Sequence, residues 1–445
     1  MDSKHCPPSS IPIPERPRTS RTRIFTALAL LTFPLALWSF LPVTSIPSLC
    51  HHRHPQTPSE RVDQILLDTP LIDTHIDLPI SIRVRFQNHI YQDNFTFSTH
   101  LPTHVDLPRL HSGGLGGVFW SVYMPCAGDD PTKPLESRFL DPEYYQSIHD
   151  TLQQVDLVHR LIAAYPDDFT LATSPRELRA VHEQWKHHHR RYHDKKPRPI
   201  ASVLGVEGLH QIGNSPAVLR MYHRLGVRYI TLTHVCNNRY ADGALSRGGP
   251  VWGGLSSDGR EMVREMNRVG MMVDLSHTTA ETMKDVLEIA RAPVVFSHSG
   301  AFGVCPHERN VRDDVLRMVK ENGGVVQVVF APDFVRCGEG REPREAGIED
   351  VVEHIMYIAE LIGWEHVGIG SDYDGIMSTP KGLEDVGMYP ALLKMLVERG
   401  VRDKDLRGLV GENVLRVWEE VERVAEEMKR GGESVLEDEV PPMKW

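Results

Sequence analysis

PLIDTHIDLP, residues 70–79, sets the apolar pair Leu71-Ile72 ahead of His75 and Asp77, two positions apart. In an extended chain residues i and i+2 face the same way. An imidazole nitrogen and a carboxylate oxygen are thus presented together, as a bound cation requires. Alone, a His-x-Asp pair is also what a turn with surface polar groups shows. Its weight comes from repetition. IASVLGVEG (200–208) leads to Glu207, RYITLTHVCN (228–237) to His234, MMVDLSH (271–277) to His277 and PVVFSHS (293–299) to His298. HVGIGSDYDG (366–375) leads to Asp372 and Asp374, and GGVFWSVYMP (116–125) and GGVVQVVF (323–330) complete a set of eight runs. Most lack polar alternation, as strands buried on both faces do.

Helix-type segments separate most of these runs. SERVDQILLDT precedes the first, and a helical region spans 141–192. SPAVLRMYHRLG (215–226) and SSDGREMVREMNRVG (256–270) precede the fourth and fifth. Thr278-Thr279-Ala280-Glu281 has capping-box form and opens another helix. Eight strand–helix units imply an α/β fold, a closed (β/α)8 barrel of the TIM type. An open doubly wound sheet is the rival, but it would gather ligand-type residues at one switch point. Here six of the eight runs end in them. In a barrel those ends share one mouth. His75, Asp77, Glu207, His277 and His298 would meet there, beside His234 and Asp372. Each has a bland reading as a core histidine or loop carboxylate. Together they are hard to bury without a compensating cation. Imidazole and carboxylate ligands suit zinc. Five exceed the needs of one catalytic zinc and fit two metals bridged by a carboxylate, an arrangement for hydrolysis.

Composition narrows the rest. The chain has 445 residues and a net charge of −11, which argues against nucleic acid as a partner. The six cysteines form no C-x-x-C pair, so structural zinc is not expected. The run His187-His188-His189 reads as a solvated loop or helix face. Residues 1–23, rich in Pro, Ser and Arg, are expected to be a disordered cytoplasmic tail. IFTALALLTFPLALWSFLPV, residues 24–43, carries no charge and is long enough for a bilayer core of about 30 Å. The arginines before it place the N-terminus inside. The expected product is a single-pass signal anchor with the catalytic part lumenal or extracellular; secretion after signal cleavage is the alternative. A linker (44–57), a barrel domain (58–427) and a polar C-terminal tail (428–445) follow. Asn94-Phe95-Thr96 is a glycosylation sequon.

From about residue 60 to 425 the chain resembles the membrane dipeptidase (renal dipeptidase) family of zinc peptidases, within the amidohydrolase-like barrels. IDTHIDLP, WSVYMPC, GVEG, LTHVCN, VDLSH, FSHS, RNVRDDVL and GSDYDG carry the resemblance, in that order. It implies two zinc ions, one held by His75 and Asp77, the other by His277 and His298, with Glu207 bridging and a shared hydroxide as nucleophile. It assigns His234 to the substrate carbonyl and Arg309 to the C-terminal carboxylate. Asp372, ahead of Asp374, would handle the water's proton and the amine. Also implied are disulfides Cys126–Cys236 and Cys305–Cys337, a homodimer, and L-Xaa-L-Xaa or L-Xaa-D-Xaa substrates. Cysteinyl-glycine conjugates and β-lactams belong to the same implied range. Mammalian members end in a hydrophobic GPI signal, whereas VLEDEVPPMKW has none, so membrane attachment is expected from residues 24–43. The rivals are a barrel amidohydrolase acting on N-acyl amino acids and an inactive binding protein on the same scaffold.

Overall fold

The apolar runs become strands of one parallel sheet in the computed structural model, which describes residues 56–126, 130–139, 142–192, 197–338 and 340–440. The strands are β1 (Leu71–Ile76), β2 (Leu115–Val122), β3 (Phe169–Leu171), β4 (Ile200–Glu207) and β5 (Val227–Thr231). They continue as β6 (Met272–Asp274), β7 (Val295–Ser299), β8 (Val325–Val328) and β9 (Val367–Ile369). Their order is β1-β2-β4-β5-β6-β7-β8-β9. The seam between β9 and β1 closes beyond the end of β9. Ile76 and Tyr373 form a parallel bridge, Asp77 N donates to Tyr373 O at 2.8 Å, and Asp372 N donates to His75 O at 3.0 Å. The result is a near-closed (β/α)8-type barrel.

The strand β3 was not expected. It lies inside the stretch read as helical and pairs Phe169, Thr170 and Leu171 with Ile200, Ala201 and Ser202 of β4. Three residues are too few to show a period. The capping-box reading is off by one position. Thr279, not Thr278, is the N-cap and accepts from Thr282 N at 3.1 Å, while the Thr278 hydroxyl donates to Leu275 O. The run His187–His189 lies on the helix Pro175–Tyr192, with His187 and His188 exposed.

Alternation along β4 shows how the barrel is filled. Ala201 and Val203 join Phe119, Tyr229, Met272, Val295 and Val325 in one buried apolar cluster, which Leu415 and Trp418 of the helix Asn413–Arg430 complete. Gly205 and Glu207 continue the same face upward. The interior is thus packed below and polar at the mouth. Residues 431–440 lie against the body: Leu436 N donates to Glu265 Oε2, and Asp438 accepts from Ser215 Oγ and Ala217 N. The segments 1–23 and 24–43, and most of the linker 44–57, lie outside the described residues. Among the described ones no helix is long and apolar enough to cross a membrane.

Candidate metal centre

The side chains of His75, Asp77, Glu207, His234, His277, His298 and Asp372 all gather at the mouth. Only His75, Glu207 and His298 do so from strands. Asp77 follows β1 directly, while His234, His277 and Asp372 lie three residues past the ends of β5, β6 and β9. The strands therefore stop earlier than the apolar runs suggested. His277, Asp372 and Asp374 each adopt φ of 68°, a left-handed conformation that costs a non-glycine residue free energy. The turn it makes folds each loop back over the barrel.

Glu207 is the hub. Its Oε1 lies 2.9 Å from His277 Nε2, 3.4 Å from His298 Nε2 and 3.5 Å from His75 Nε2. His75 Nε2 is also 3.1 Å from Asp77 Oδ2, and His234 Nε2 is 3.8 Å from Glu207 Oε2. His277 and His298 face each other Nε2 to Nε2 at 2.9 Å. Two neutral imidazoles gain little from such a contact. Ligand atoms turned toward a common centre do.

Behind the cluster the outer nitrogens are held. His75 Nδ1 meets the Tyr229 hydroxyl at 2.8 Å, and Gly205 makes room for that ring, since a Cβ there would come within 2.1 Å of it. His298 Nδ1 meets Ser297 Oγ at 2.8 Å, and Ser297 Oγ donates to Asp274 Oδ2 at 2.6 Å. Asp274 also accepts from Thr231 Oγ1 and from the amides of Ser276 and Ser297. With Nδ1 protonated, each ring turns a lone pair at Nε2 toward the centre, as in metal sites with an oriented second layer. Asp73 braces the β1 end, accepting from the amides of His75 and Ser371 and from the Tyr389 hydroxyl.

Electrostatics point the same way. Burial raises Glu207 to about 8 against the pull of His75. It also raises Asp372, with Asp77 adding to the effect. Burial works against a charged His75, yet the carboxylates of Asp77 and Glu207 push it up to about 10. Burial, with Arg309 nearby, holds His277 and His298 well below the ordinary imidazole range. Buried acids and neutral imidazoles crowded this closely suit a cation held between them. Asp77 Oδ1 is buried without a hydrogen-bond partner among the described residues, and His75, Asp77 and Glu207 bring ligand atoms within 4.8 Å of one another. The donor set of nitrogen and carboxylate oxygen fits a metal of the zinc type.

The cluster opens into a cavity of about 730 Å3 that Arg309, His234, Asp372 and Asp374 also line. Arg309, on the loop after β7, is 1% exposed. Asp374 Oδ1 accepts from His104 N at 2.7 Å. Asp372 instead brings a ligand atom to the group with His75 and His298. Gly375 presses on both acids, for a Cβ there would lie 2.4 Å from Asp372 Oδ1 and from Asp77 Oδ2. Tyr123, within the motif WSVYMPC, packs its ring against that of His234, tilted by 47° with centroids 4.6 Å apart. The disulfide Cys126–Cys236 ties the loops carrying those two rings, and Cys305–Cys337 ties the Arg309 loop to the segment after β8.

Sequence reasoning missed Asp73, Asp274, Tyr229, Ser297 and Gly375. Asp73 shared the period of two with His75 and Asp77, so a signal existed. Tyr229 and Asp274 lie on strands whose partners are distant in sequence, and nothing local marks them.

Comparison with known proteins agrees with this geometry. The family model for membrane dipeptidase, peptidase family M19, matches residues 59–431. The chain is 48% identical over 381 residues to dipeptidase aclJ of Aspergillus oryzae, covering 86% of this chain and 84% of the relative. It is 46% identical to dipeptidase verJ of Clonostachys rogersoniana, covering 84% and 90% of the two chains. A metallopeptidase from Rhodobacter sphaeroides, solved with a phosphinate mimic of the dipeptide L-Ala-D-Ala, superposes with a TM-score of 0.66 at 27% identity, covering 79% of this chain and 99% of that one. Family, relatives and mouth geometry converge: this chain belongs to the membrane dipeptidase family, peptidase family M19, and is a metallo-dipeptidase.

Proposed function

We propose that this enzyme is a two-zinc dipeptidase that measures its substrate by the free C-terminal carboxylate. Arg309 carries the reading. It is buried, yet among the described residues its guanidinium hydrogen-bonds only Ser299 Oγ and His298 O, each at 3.4 Å, and its Nε finds no hydrogen-bond partner there. Burial lowers it to about 10. A buried cation with unused donors calls for an external anion, and a terminal carboxylate fits its planar fork. A tripeptide would place an amide there. The dipeptide mimic bound by the Rhodobacter relative supports the same ligand class.

In this reading His75 and Asp77 hold one zinc, His277 and His298 the other, and Glu207 both. The bound ions would polarise the scissile carbonyl and lower the pKa of the attacking water. His234 donates from Nε2 to the carbonyl oxygen as charge builds there. Asp372, its carboxyl raised by burial, takes the water's proton, passes it to the leaving amine and receives the substrate's ammonium group. The rival acting on N-acyl amino acids would not need a free amine.

Attachment through residues 24–43 with a lumenal or extracellular barrel, glycosylation at the exposed Asn94 and a homodimer complete the proposal. The test is zinc per chain and hydrolysis of dipeptides against matched tripeptides, with and without chelator, in wild type and Arg309→Ala. Two zinc ions, chelator-sensitive cleavage of dipeptides alone, and a loss of roughly 100-fold in kcat/KM in the variant are expected. Equal cleavage of tripeptides, or a harmless Arg309→Ala, would sink the carboxylate reading.

A further inference from the structure

Around the mouth of the catalytic cavity stand four large apolar side chains that water reaches: Val84, Val235, Leu245 and Met377. Val84 is 71% exposed and Met377 fully exposed. Exposed apolar residues scattered singly need no explanation, whereas a group around one cavity marks a surface that something apolar covers. The occupant follows from connectivity. Val84 lies on the helix Leu78–Phe86, which begins immediately after Asp77. Met377 follows Asp372, Asp374 and Gly375 on the turn beyond β9. Both therefore hang from β1 and β9, the two strands at the barrel seam. Val235 and Leu245 hang from the loop after β5, four strands from β9 in the sheet order. The cavity, about 730 Å3, has the size of sites for drug-sized ligands, roughly 300–1,000 Å3. A pair of alanines would leave much of it empty.

We infer that the preferred dipeptides carry a large apolar side chain on their N-terminal residue, and that this side chain runs outward between Val84 and Met377. The inference rests on the reading proposed above, which puts the substrate's amine at Asp372 and its carboxylate at Arg309. The residue bearing that amine is then the one nearest the turn holding Met377. Covering the rim removes apolar surface from water on both partners, so selectivity rises with the size of the side chain. Arg85, beside Val84 and also lining the cavity, makes an acidic side chain the obvious competitor.

The experiment compares kcat/KM for Ala-Ala, Leu-Ala, Phe-Ala and Glu-Ala with that for Ala-Leu and Ala-Phe, using the full-length enzyme. Phe-Ala and Leu-Ala are expected to exceed Ala-Ala by roughly tenfold, with no comparable gain for Ala-Phe. In Val84→Ser/Met377→Ser the Phe-Ala to Ala-Ala ratio should fall toward one. The single Met377→Ser variant, altering a side chain that touches little, guards against misfolding. Leu225→Ser, exposed but away from the cavity, should leave the ratio where it was. A preference at the second position, a preference for Glu-Ala, no size preference, or a ratio untouched by the double substitution would each overturn the inference. Failure to cleave any dipeptide would instead overturn the proposed function beneath it.

Discussion

Among the described residues the Tyr229 hydroxyl is the one hydrogen-bond partner of His75 Nδ1. Tyr229→Phe keeps the ring in the cluster with Phe119 and Trp418 and removes only the hydroxyl, which Ser297 also reaches. Metal affinity should fall by roughly 10–100-fold, read by competition with a chromophoric chelator, while the melting temperature moves little. A variant that binds metal like wild type would show that Tyr229 is packing and nothing more. Gly375→Ala tests the opposite side of the site. Its Cβ would fall 2.4 Å from oxygens of Asp77 and Asp372, far inside contact distance, so one acid must move. The expected outcome is a folded protein with kcat reduced on the order of 100-fold; near-normal turnover would mean that the turn yields instead.

Among the elements, the loop between β5 and the helix Ser257–Val269 shapes the mouth without regular structure of its own. Its hub is Asp242. That buried carboxylate accepts from the amides of Val251, Trp252 and Gly254, groups with no strand or helix to satisfy them. The same loop reaches the metal cluster, since Ala244 N donates to His277 O at 2.7 Å and Gly243 bridges Thr278. Asp242→Ala strands three amides and should cost about 2–4 kcal/mol of stability, measured by denaturant unfolding. Because the loop also braces the backbone of His277, metal should be lost at lower denaturant than the barrel's far-UV signal. Simultaneous loss of both would mean that loop and barrel unfold as one unit.

At the scale of the whole molecule, stability should depend on pH through buried histidines outside the proposed ligand set. Burial lowers His354 and His210 to about 4, against 6.5 when unfolded. His354 Nδ1 accepts from Ala301 N at 2.8 Å and its other nitrogen meets Val335 O, so the folded state needs a neutral ring. Above 6.5 both states are neutral and the contribution is complete. As pH falls from 6.5 toward 4 the unfolded chain takes protons that the folded one refuses, and stability drains away by on the order of 3 kcal/mol for each such ring. Denaturation midpoints of the wild-type protein should fall across that window; a flat profile would contradict the assignment. The same contrast between local and distant control marks what the sequence determined. Apolar runs that stop at a ligand-type residue are a local pattern, because a doubly buried strand must be apolar throughout and a barrel must put chemistry at strand ends. They were enough for the barrel and for the residues His75, Asp77, Glu207, His234, His277, His298 and Asp372. Tertiary structure decided the rest. It placed Tyr229 under His75 from across the barrel, let Asp274 steer His298 through Ser297, and ended β6 and β9 early so that left-handed turns could aim His277 and Asp372 inward. It also brought Val84 and Met377, nearly three hundred positions apart in the sequence, to one rim. Such contacts depend on which strands lie side by side around a near-closed ring, and no window along the chain contains that information.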